Sequence, residues 1–348
     1  MAGIEIRNLR KQFGELHAVD GVDLSIRDGE FLVLLGSSGS GKTTLLRMIA
    51  GLERPTAGEI YIGGERVDGD VPPRARGIAM VFQSYALYPH RTVYQNIAFP
   101  LEASRTPRKR IEEKVRWAAD LFSITRYLDR YPRQLSGGER QRVALCRALV
   151  RDPKVFLLDE PLANLDAKLR NTARDDLKRF QRQIQTTTVY VTHDQVEAMG
   201  LGDRIVVMEH GKVRQVGTPQ EVYEDPVDTF VATFVGQPPM NLLALRDPSL
   251  PPGTLVGFRP EHLLPHSLFG AGEELYTFRF AVRRVEYLGA DRYVYGAVAE
   301  SATPDATIIA KLPGTSAVAI PEGATHEFAV PRRLLRYFDA DTGLRRRP

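Results

Sequence analysis

A glycine-rich turn between an apolar run and a helix-forming run limits most strongly what this chain can fold into. The turn reads Gly36-Ser-Ser-Gly-Ser-Gly41-Lys42-Thr43 and directly follows the apolar residues Phe31 to Leu35. This pattern predicts a strand, a phosphate-binding loop and then a helix. The glycines let successive backbone N–H groups point inward at phosphate oxygens, and the helix adds the positive end of its dipole. The sequence therefore predicts an α/β domain that binds a nucleotide.

Both backbone N–H groups and side chains of the loop are expected to bind the phosphates. We expect Lys42 to reach the β and γ phosphates and the Thr43 hydroxyl to bind Mg²⁺, which bridges those phosphates. An ordinary glycine-rich turn is the alternative, and the full motif spacing after an apolar strand disfavours it. The predicted nucleotide-binding residues of this segment are Gly36, Ser37, Ser38, Gly39, Ser40, Gly41, Lys42, Thr43 and Thr44.

Two further apolar runs end in polar side chains that suit phosphoryl transfer. Val155 to Leu158 precedes Asp159 and Glu160, and Thr188 to Thr192 precedes His193. We expect Asp159 to hold Mg²⁺ from its outer shell, Glu160 to orient the attacking water as general base, and His193 to contact the γ phosphate. A histidine after a strand is by itself more often a structural hydrogen-bonding group; the accompanying motifs favour a catalytic role.

Composition bounds the remaining possibilities. The chain has 348 residues, 43% of them hydrophobic and 26% charged, which suits a folded protein of about two domains. We expect no signal peptide and no membrane span, because the start lacks an apolar core and no 18 apolar residues run together. The single cysteine, Cys146, can form no intrachain disulfide. A net charge of +4 spread along the chain predicts no nucleic-acid partner.

A second anion-binding element narrows the class of nucleotide-binding protein. Leu135-Ser136-Gly137-Gly138-Glu139 precedes the helical run Val143 to Val150. Ser136 and the two glycines predict another helix N-terminus that binds phosphate. One triphosphate does not obviously need both elements from one chain, so we expect two subunits to share two nucleotides.

These motifs together resemble the ATPase subunits of ATP-binding-cassette (ABC) transporters over nearly the whole chain. The resemblance implies a P-loop NTPase domain over residues 1–235, with a RecA-like core and a helical subdomain at about 84–150. It implies a β-rich, OB-like regulatory domain over 236–348. Alternation of apolar and polar residues from Tyr276 to Arg283 independently predicts a strand there. The tail motifs Met240-Asn-Leu-Leu243 and Gly257-Phe-Arg-Pro-Glu-His262 suit either barrel packing or a regulatory role.

The same resemblance assigns further site residues. Ser136, Gly137 and Gly138 match the family signature that closes over ATP on the partner subunit, and Glu139, expected to bind nucleotide with them, stands where the family more often has glutamine. Gln83 matches the Q-loop glutamine, a ligand of Mg²⁺ or water, and the stretch after it is expected to face membrane subunits. Phe13 matches an aromatic that stacks on adenine, with loop packing as its alternative, and Asp166 matches the D-loop. The chain departs from the pattern at Glu139, Ala163, Gly200 and Gly202.

The finer resemblance is to maltose-type ATPases of sugar importers. It implies a dimer of two cassettes, either identical or paralogous, with two integral membrane permeases and an extracytoplasmic solute-binding protein. It also implies that this chain lies at the cytoplasmic face of the cell membrane. Importers of polyamines, sulfate or ferric ion remain alternatives. A DNA-repair ATPase is disfavoured because no coiled-coil insertion separates Lys42 from Ser136, and a ribosome-acting protein because only one cassette is present.

Overall fold

Two compact units make up the chain, one ending at Pro219 and the other beginning at Gln220. The structure, a computed structural model, describes residues 2–270, 272–303 and 306–347. The sequence placed the change of unit at residue 235. The segment 220–235 instead belongs to the second unit, because a buried arginine of that unit, Arg259, donates hydrogen bonds to its carbonyl groups.

The first unit alternates strands and helices. Its strands are β1 (Ile4–Phe13), β2 (Leu16–Ile26), β3 (Phe31–Gly36), β4 (Ala57–Ile62), β5 (Glu65–Arg66), β6 (Ile78–Val81), β7 (Val155–Asp159), β8 (Thr187–Thr192), β9 (Arg204–Glu209) and β10 (Lys212–Gly217). Its helices are α1 (Lys42–Ala50), α2 (Val93–Ala103), α3 (Arg108–Leu121), α4 (Gly137–Leu149), α5 (Ala167–Ile184) and α6 (Gln195–Leu201). Helix α7 (Pro219–Glu224) begins at the boundary.

A six-stranded sheet in the order β10-β9-β3-β8-β7-β6 forms the centre of this unit. Five strands are parallel and β10 is antiparallel at the edge. Strands β3, β7 and β8 are buried along their whole length, as continuous apolar runs in a parallel sheet should be. Their carboxyl ends therefore meet at one edge, and the predicted site residues follow those ends.

An antiparallel sheet in the order β2-β1-β4-β5 covers part of the central sheet. Its inward residues, with those of β3, β8 and α1, form one apolar core that includes Ile6, Leu34 and Ile49. Helices α2, α3 and α4 occupy the stretch that the sequence assigned to a helical subdomain. Cys146 is buried on α4, where its thiol donates to the Ala118 carbonyl, and burial raises its pKa.

The second unit is antiparallel and β-rich. It contains α8 (Thr229–Phe234) and the strands β11 (Asn241–Ala244), β12 (Thr254–Phe258), β13 (Leu264–Pro265), β14 (Leu275–Tyr287), β15 (Asp291–Val298), β16 (Ile308–Pro313), β17 (Thr325–Pro331), β18 (Arg336–Asp339) and β19 (Arg345–Arg346). The sheets run β11-β12-β18-β19 and β13-β17-β14-β15-β16. Phe278, Phe280 and Val282 alternate inward along β14, which confirms the predicted strand.

The two sheets of this unit enclose one apolar core and are tied together beside β11. The Asn241 amide group pairs with both the N–H and the carbonyl of Ile309, as a neighbouring strand would. Backbone bonds from Arg246 to Glu300 and from Ala302 to Ala244 continue the link. The β-rich second domain expected from the sequence is confirmed, and Asn241 of the tail motif has a packing role in it.

Candidate functional site

The glycine-rich turn forms a tight loop between β3 and α1. Gly41 has φ +97°, and a Cβ there would lie 2.3 Å from the Ala18 carbonyl oxygen on β2. A Cβ on Gly36 would lie 2.5 Å from the Met208 carbonyl oxygen. Only glycine fits these two positions, so the loop residues from Ser37 to Ser40 are held in a compact turn before the helix N-terminus.

Lys42 is buried beneath this loop. Its ammonium donates to the Gly36 carbonyl at 2.9 Å, the Ser37 carbonyl at 2.7 Å and the Ser40 hydroxyl at 3.3 Å. Burial lowers the pKa of Lys42, while the carboxylates of Glu160 and Asp159 act in the opposite direction. The cation therefore lies inside the loop where phosphate oxygens would need it, and Thr44 follows on the first turn of the helix.

Thr43 and Asp159 come together across the sheet. The Thr43 hydroxyl donates to Asp159 Oδ1 at 3.1 Å, joining the start of α1 to the end of β7. Burial raises the pKa of Asp159, and the bond from Thr43 opposes that change. A hydroxyl and a carboxylate side by side are hard oxygen donors, so these two residues fit the first and outer shells of Mg²⁺.

Glu160 and His193 form a pair at the same edge of the sheet. Glu160 has a positive φ of +44°, which an L-residue rarely adopts, and its N–H donates to the Val191 carbonyl. His193 Nδ1 lies 3.2 Å from Glu160 Oε2. The histidine is the more exposed partner, at 60% against 20% for the glutamate. The two side chains orient each other, and a strained backbone aims the carboxylate.

The signature segment starts helix α4 rather than preceding it. Ser136 caps the helix, and Gly137 and Gly138 are its first two residues. The Ser136 hydroxyl accepts from Glu139 N–H at 3.3 Å, and Ser136 N–H donates to Glu139 Oε2 at 2.7 Å. Glu139, a departure from the family pattern, thus completes a capping box. A hydrogen bond from Tyr127 lowers the pKa of Glu139, as does the Ser136 N–H.

The signature and the phosphate loop remain apart within one chain. Among the residues that the structure describes, no hydrogen bond or ion pair joins Ser136 to Glu139 with residues 36–44. Gly137 instead lies against Leu165, whose side chain would be 2.9 Å from a Cβ at that position. The recorded contacts of the signature are thus with its own helix and with the residues before α5.

The remaining predicted residues lie in exposed loops near these elements. The backbone carbonyl of Gln83 accepts from Asn164 Nδ2 at 2.8 Å, and the Gln83 side chain is exposed. Asp166 is the N-cap of α5 and accepts from Leu169 N–H at 2.9 Å. Phe13 ends β1 and is 47% exposed, with Lys11 Nζ 4.6 Å from its ring centroid. An exposed flat ring is available for stacking.

Sequence reasoning missed several residues that hold the site together. Asn164 lies inside the D-loop motif, yet nothing in the motif indicated its bond to Gln83. Arg170, Asp194 and Glu197 join the turn after β8 to α5. The spacing of Asp194 and Glu197 resembles an N-cap and its third helical position, and this signal was available. Helix α6 ends at Leu201, so Gly202 lies outside it and only Gly200 is helical.

Known proteins are similar in sequence to this chain over most of its length. The family model described as ABC transporter matches residues 19–163. The sn-glycerol-3-phosphate import ATP-binding protein UgpC of Cereibacter sphaeroides is 48% identical over 99% of this chain and 100% of its own. The trehalose/maltose import ATP-binding protein MalK of Thermococcus litoralis is 60% identical over 70% of this chain and 67% of its own.

Solved structures resemble the first part of the chain. A dimeric bacterial ABC transporter cassette has 33% identity and a TM-score of 0.56, covering 62% of this chain and 98% of that one. The CbiO1 component of an ABC transporter complex from Clostridium perfringens has 30% identity and a TM-score of 0.59, covering 63% of this chain and 89% of that one. The predicted P-loop NTPase cassette fold is confirmed by these structures.

Proposed function

The chain belongs to the ATP-binding subunits of ABC transporters, and we propose that it powers uptake of a carbohydrate as one of two cassettes beneath membrane permeases. The observation that carries the proposal is the edge of the central sheet, where Lys42, the Thr43–Asp159 pair and the Glu160–His193 pair meet. This set of residues is suited to phosphoryl transfer to water.

In this proposal each residue at the edge has one task. The phosphate loop and Lys42 bind and orient the triphosphate, and Glu160 orients the attacking water and accepts its proton. His193 holds the Glu160 carboxylate through Nδ1 and faces solvent where the γ phosphate would lie. Mg²⁺ would be held by Thr43 and Asp159, and by Gln83 as the family pattern implies, and would offset charge on the phosphate oxygens.

The signature makes no hydrogen bond or ion pair with the phosphate loop of its own chain among the described residues, which supports a second cassette as its partner. We propose that Ser136, Gly137 and Gly138 of one subunit close over the nucleotide of the other. ATP contacts both elements only in the closed pair, so binding shifts the equilibrium toward closure. Hydrolysis removes that contact and reopens the pair, and the permease follows the movement.

A groove beside the Q-loop is suited to the permease. It has a volume of about 1010 Å³ and lies between the end of β6 and helices α2 and α4. Its wall is both apolar and cationic, with Tyr88, Phe99 and Leu101 next to Arg105 and Arg147. We propose that a short amphipathic helix on the cytoplasmic side of the permease docks here. None of the helices among the described residues combines the length and the hydrophobicity of a membrane span.

Copurification tests the proposal. The tagged chain, extracted gently from membranes of its native host, is expected to bring down two permeases and, in the intact system, a solute-binding protein. Ala103 is exposed and lines the groove, so Ala103→Glu should lose the permeases while keeping ATP hydrolysis. Ala57→Glu, the same change at an exposed position outside the groove, is the control. Permeases that remain with Ala103→Glu would show that docking occurs elsewhere.

The solute is tested in the reconstituted complex. Trehalose and maltose are favoured by the MalK relative. The full-length UgpC relative makes sn-glycerol-3-phosphate the second candidate. Stimulation of ATP hydrolysis in vesicles by the binding protein loaded with one of these solutes decides between them. Stimulation by neither solute, with a polyamine, sulfate or ferric ion active instead, would overturn the carbohydrate proposal.

A further inference from the structure

One arginine contacts both loops that carry the proposed catalytic pair. Arg170 lies on the first turn of α5, directly after the D-loop, which comprises residues 161–166. Its Nη2 donates to the Leu165 carbonyl of the D-loop at 3.2 Å, and its Nη1 donates to Asp194 Oδ2 at 3.3 Å. The D-loop follows Glu160 and Asp194 follows His193. The guanidinium group therefore joins the two chain segments that must stay aligned.

The turn around His193 is held on both sides. Asp194 N–H donates to the Thr192 hydroxyl at 2.9 Å, closing a turn with His193 at its centre. Asp194 Oδ1 accepts from the N–H groups of Val196 and Glu197 and so caps α6. Asp194 thus uses Oδ1 to cap α6 and Oδ2 to accept from Arg170. Because Asp194 directly follows His193, a displacement of the Arg170 guanidinium would shift the residue next to the histidine.

The buried side chain of Glu197 contacts this turn through the Thr192 hydroxyl. This side chain is 5% exposed, and Oε2 accepts from the Tyr190 hydroxyl at 2.8 Å and the Thr192 hydroxyl at 2.7 Å. Oε1 lies 3.9 Å from Arg170 Nε. Within the described residues, this buried Nε has no hydrogen-bond partner. The unpaired Nε thus faces a carboxylate oxygen that lies just beyond hydrogen-bonding distance.

The D-loop that Arg170 holds also reaches the other site segments. Asn164 donates to the Gln83 carbonyl, and Leu165 packs against Gly137 of the signature. A movement of the D-loop would therefore shift residues of the Q-loop and the signature through direct contacts. The same movement would shift the turn around His193 through Arg170.

We propose that Arg170 is a positioning residue that couples the D-loop to the His193 turn, so that D-loop placement sets the alignment of His193 with Glu160. The proposal rests on the proposed function, because the roles of Glu160 and His193 belong to it. Docking of the second cassette would move the D-loop and tighten the Arg170–Glu197 contact. A misplacement of about 1 Å near reacting groups can cost about a hundredfold in rate.

The test separates alignment from folding. Arg170→Met is expected to lower kcat for ATP hydrolysis by about 10- to 100-fold with KM changed less than about twofold. Arg170→Lys should restore only part of the rate, because an ammonium cannot contact two loops as a planar fork does. Arg179→Met, the same change at an exposed position on α5, should match the parent in rate and in thermal unfolding midpoint.

A double-mutant cycle with His193→Ala decides whether Arg170 acts through the histidine. If it does, Arg170→Met combined with His193→Ala should be no slower than His193→Ala alone. Losses that multiply would overturn the proposal, as would an Arg170→Met effect on KM alone or a full-rate Arg170→Met enzyme. Undiminished turnover by His193→Ala and by Glu160→Gln would instead show that the proposed function itself is wrong.

Discussion

Arg259, the buried arginine of the second unit, should contribute several kcal/mol to the free energy of unfolding of that unit. Arg259 is 2% exposed, donates to the carbonyls of Tyr223, Ala232 and Val235, and stacks on the Tyr223 ring at 4.0 Å. The carbonyls of Tyr223 and Val235 lose their donors in Arg259→Leu, at about 1–3 kcal/mol each, and the ring contact contributes about 1 more. Leucine carries no charge, so the desolvation cost of the buried guanidinium is removed and offsets part of this loss. We expect a net decrease of about 3–5 kcal/mol in the free energy of unfolding.

Urea unfolding measures this loss with two probes. Trp117 is the single tryptophan and lies in the first unit, so its fluorescence follows that unit, whereas far-ultraviolet circular dichroism also follows the β-rich second unit. We expect Arg259→Leu to move only the dichroism transition to lower urea. Arg279→Leu removes an arginine whose side chain is 75% exposed and should change stability by less than about 0.5 kcal/mol. A loss below about 1 kcal/mol in Arg259→Leu would mean that water replaces the guanidinium, and the reasoning would fail.

Three further predictions concern Glu160, Lys42 and the hydrogen bond that the Tyr276 hydroxyl donates to Asp247. Glu160→Gln should retain ATP binding, slow hydrolysis at least about a hundredfold and form an ATP-dependent dimer in sedimentation experiments; a variant that stays monomeric with ATP and Mg²⁺ would contradict the shared site. Lys42→Ala should weaken ATP binding itself, measured by calorimetry, because the loop loses its buried cation; unchanged affinity and rate would mean that the phosphate loop is misassigned. Burial and the bond to Asp247 raise the pKa of Tyr276 to about 12, so its contribution to stability is present below pH about 10 and is lost as the pH rises toward 12. Tyr276→Phe should flatten the stability profile in that window, and an unaltered profile would show that Tyr276 is not its source.

The motifs were readable from the sequence because each depends on a short stretch of backbone. The glycine-rich pattern directly after an apolar run predicts a strand, a phosphate loop and a helix from local signals, whereas the carbonyls that exclude a side chain at Gly41 and Gly36 come from β2 and β9. Asp159, Glu160 and His193 follow buried apolar strands, and the carboxyl ends of parallel strands meet at one edge. That rule brings Thr43 and Asp159 to the same edge, and the strand order places them within hydrogen-bonding distance.

Other features depend on which distant segments pack together. Segment 220–235 looks like the end of the first domain by pattern, yet its carbonyls are bound by Arg259 of the second unit. The tail motif that contains Arg259 was equally compatible with packing and regulation until its burial was known.

Local turn geometry and strand periodicity were enough to predict the parts of the proposed site: a glycine-rich turn before a helix, two carboxylates and a histidine after buried strands, and a second glycine-containing helix start. How these parts contact one another depends on the packing of the folded chain. Arg170 contacts Leu165, Asp194 and Glu197 because β8, α5 and α6 pack side by side, and buried polar groups must find partners wherever the fold brings them. That pairing depends on three-dimensional proximity, which spacing along the chain does not encode.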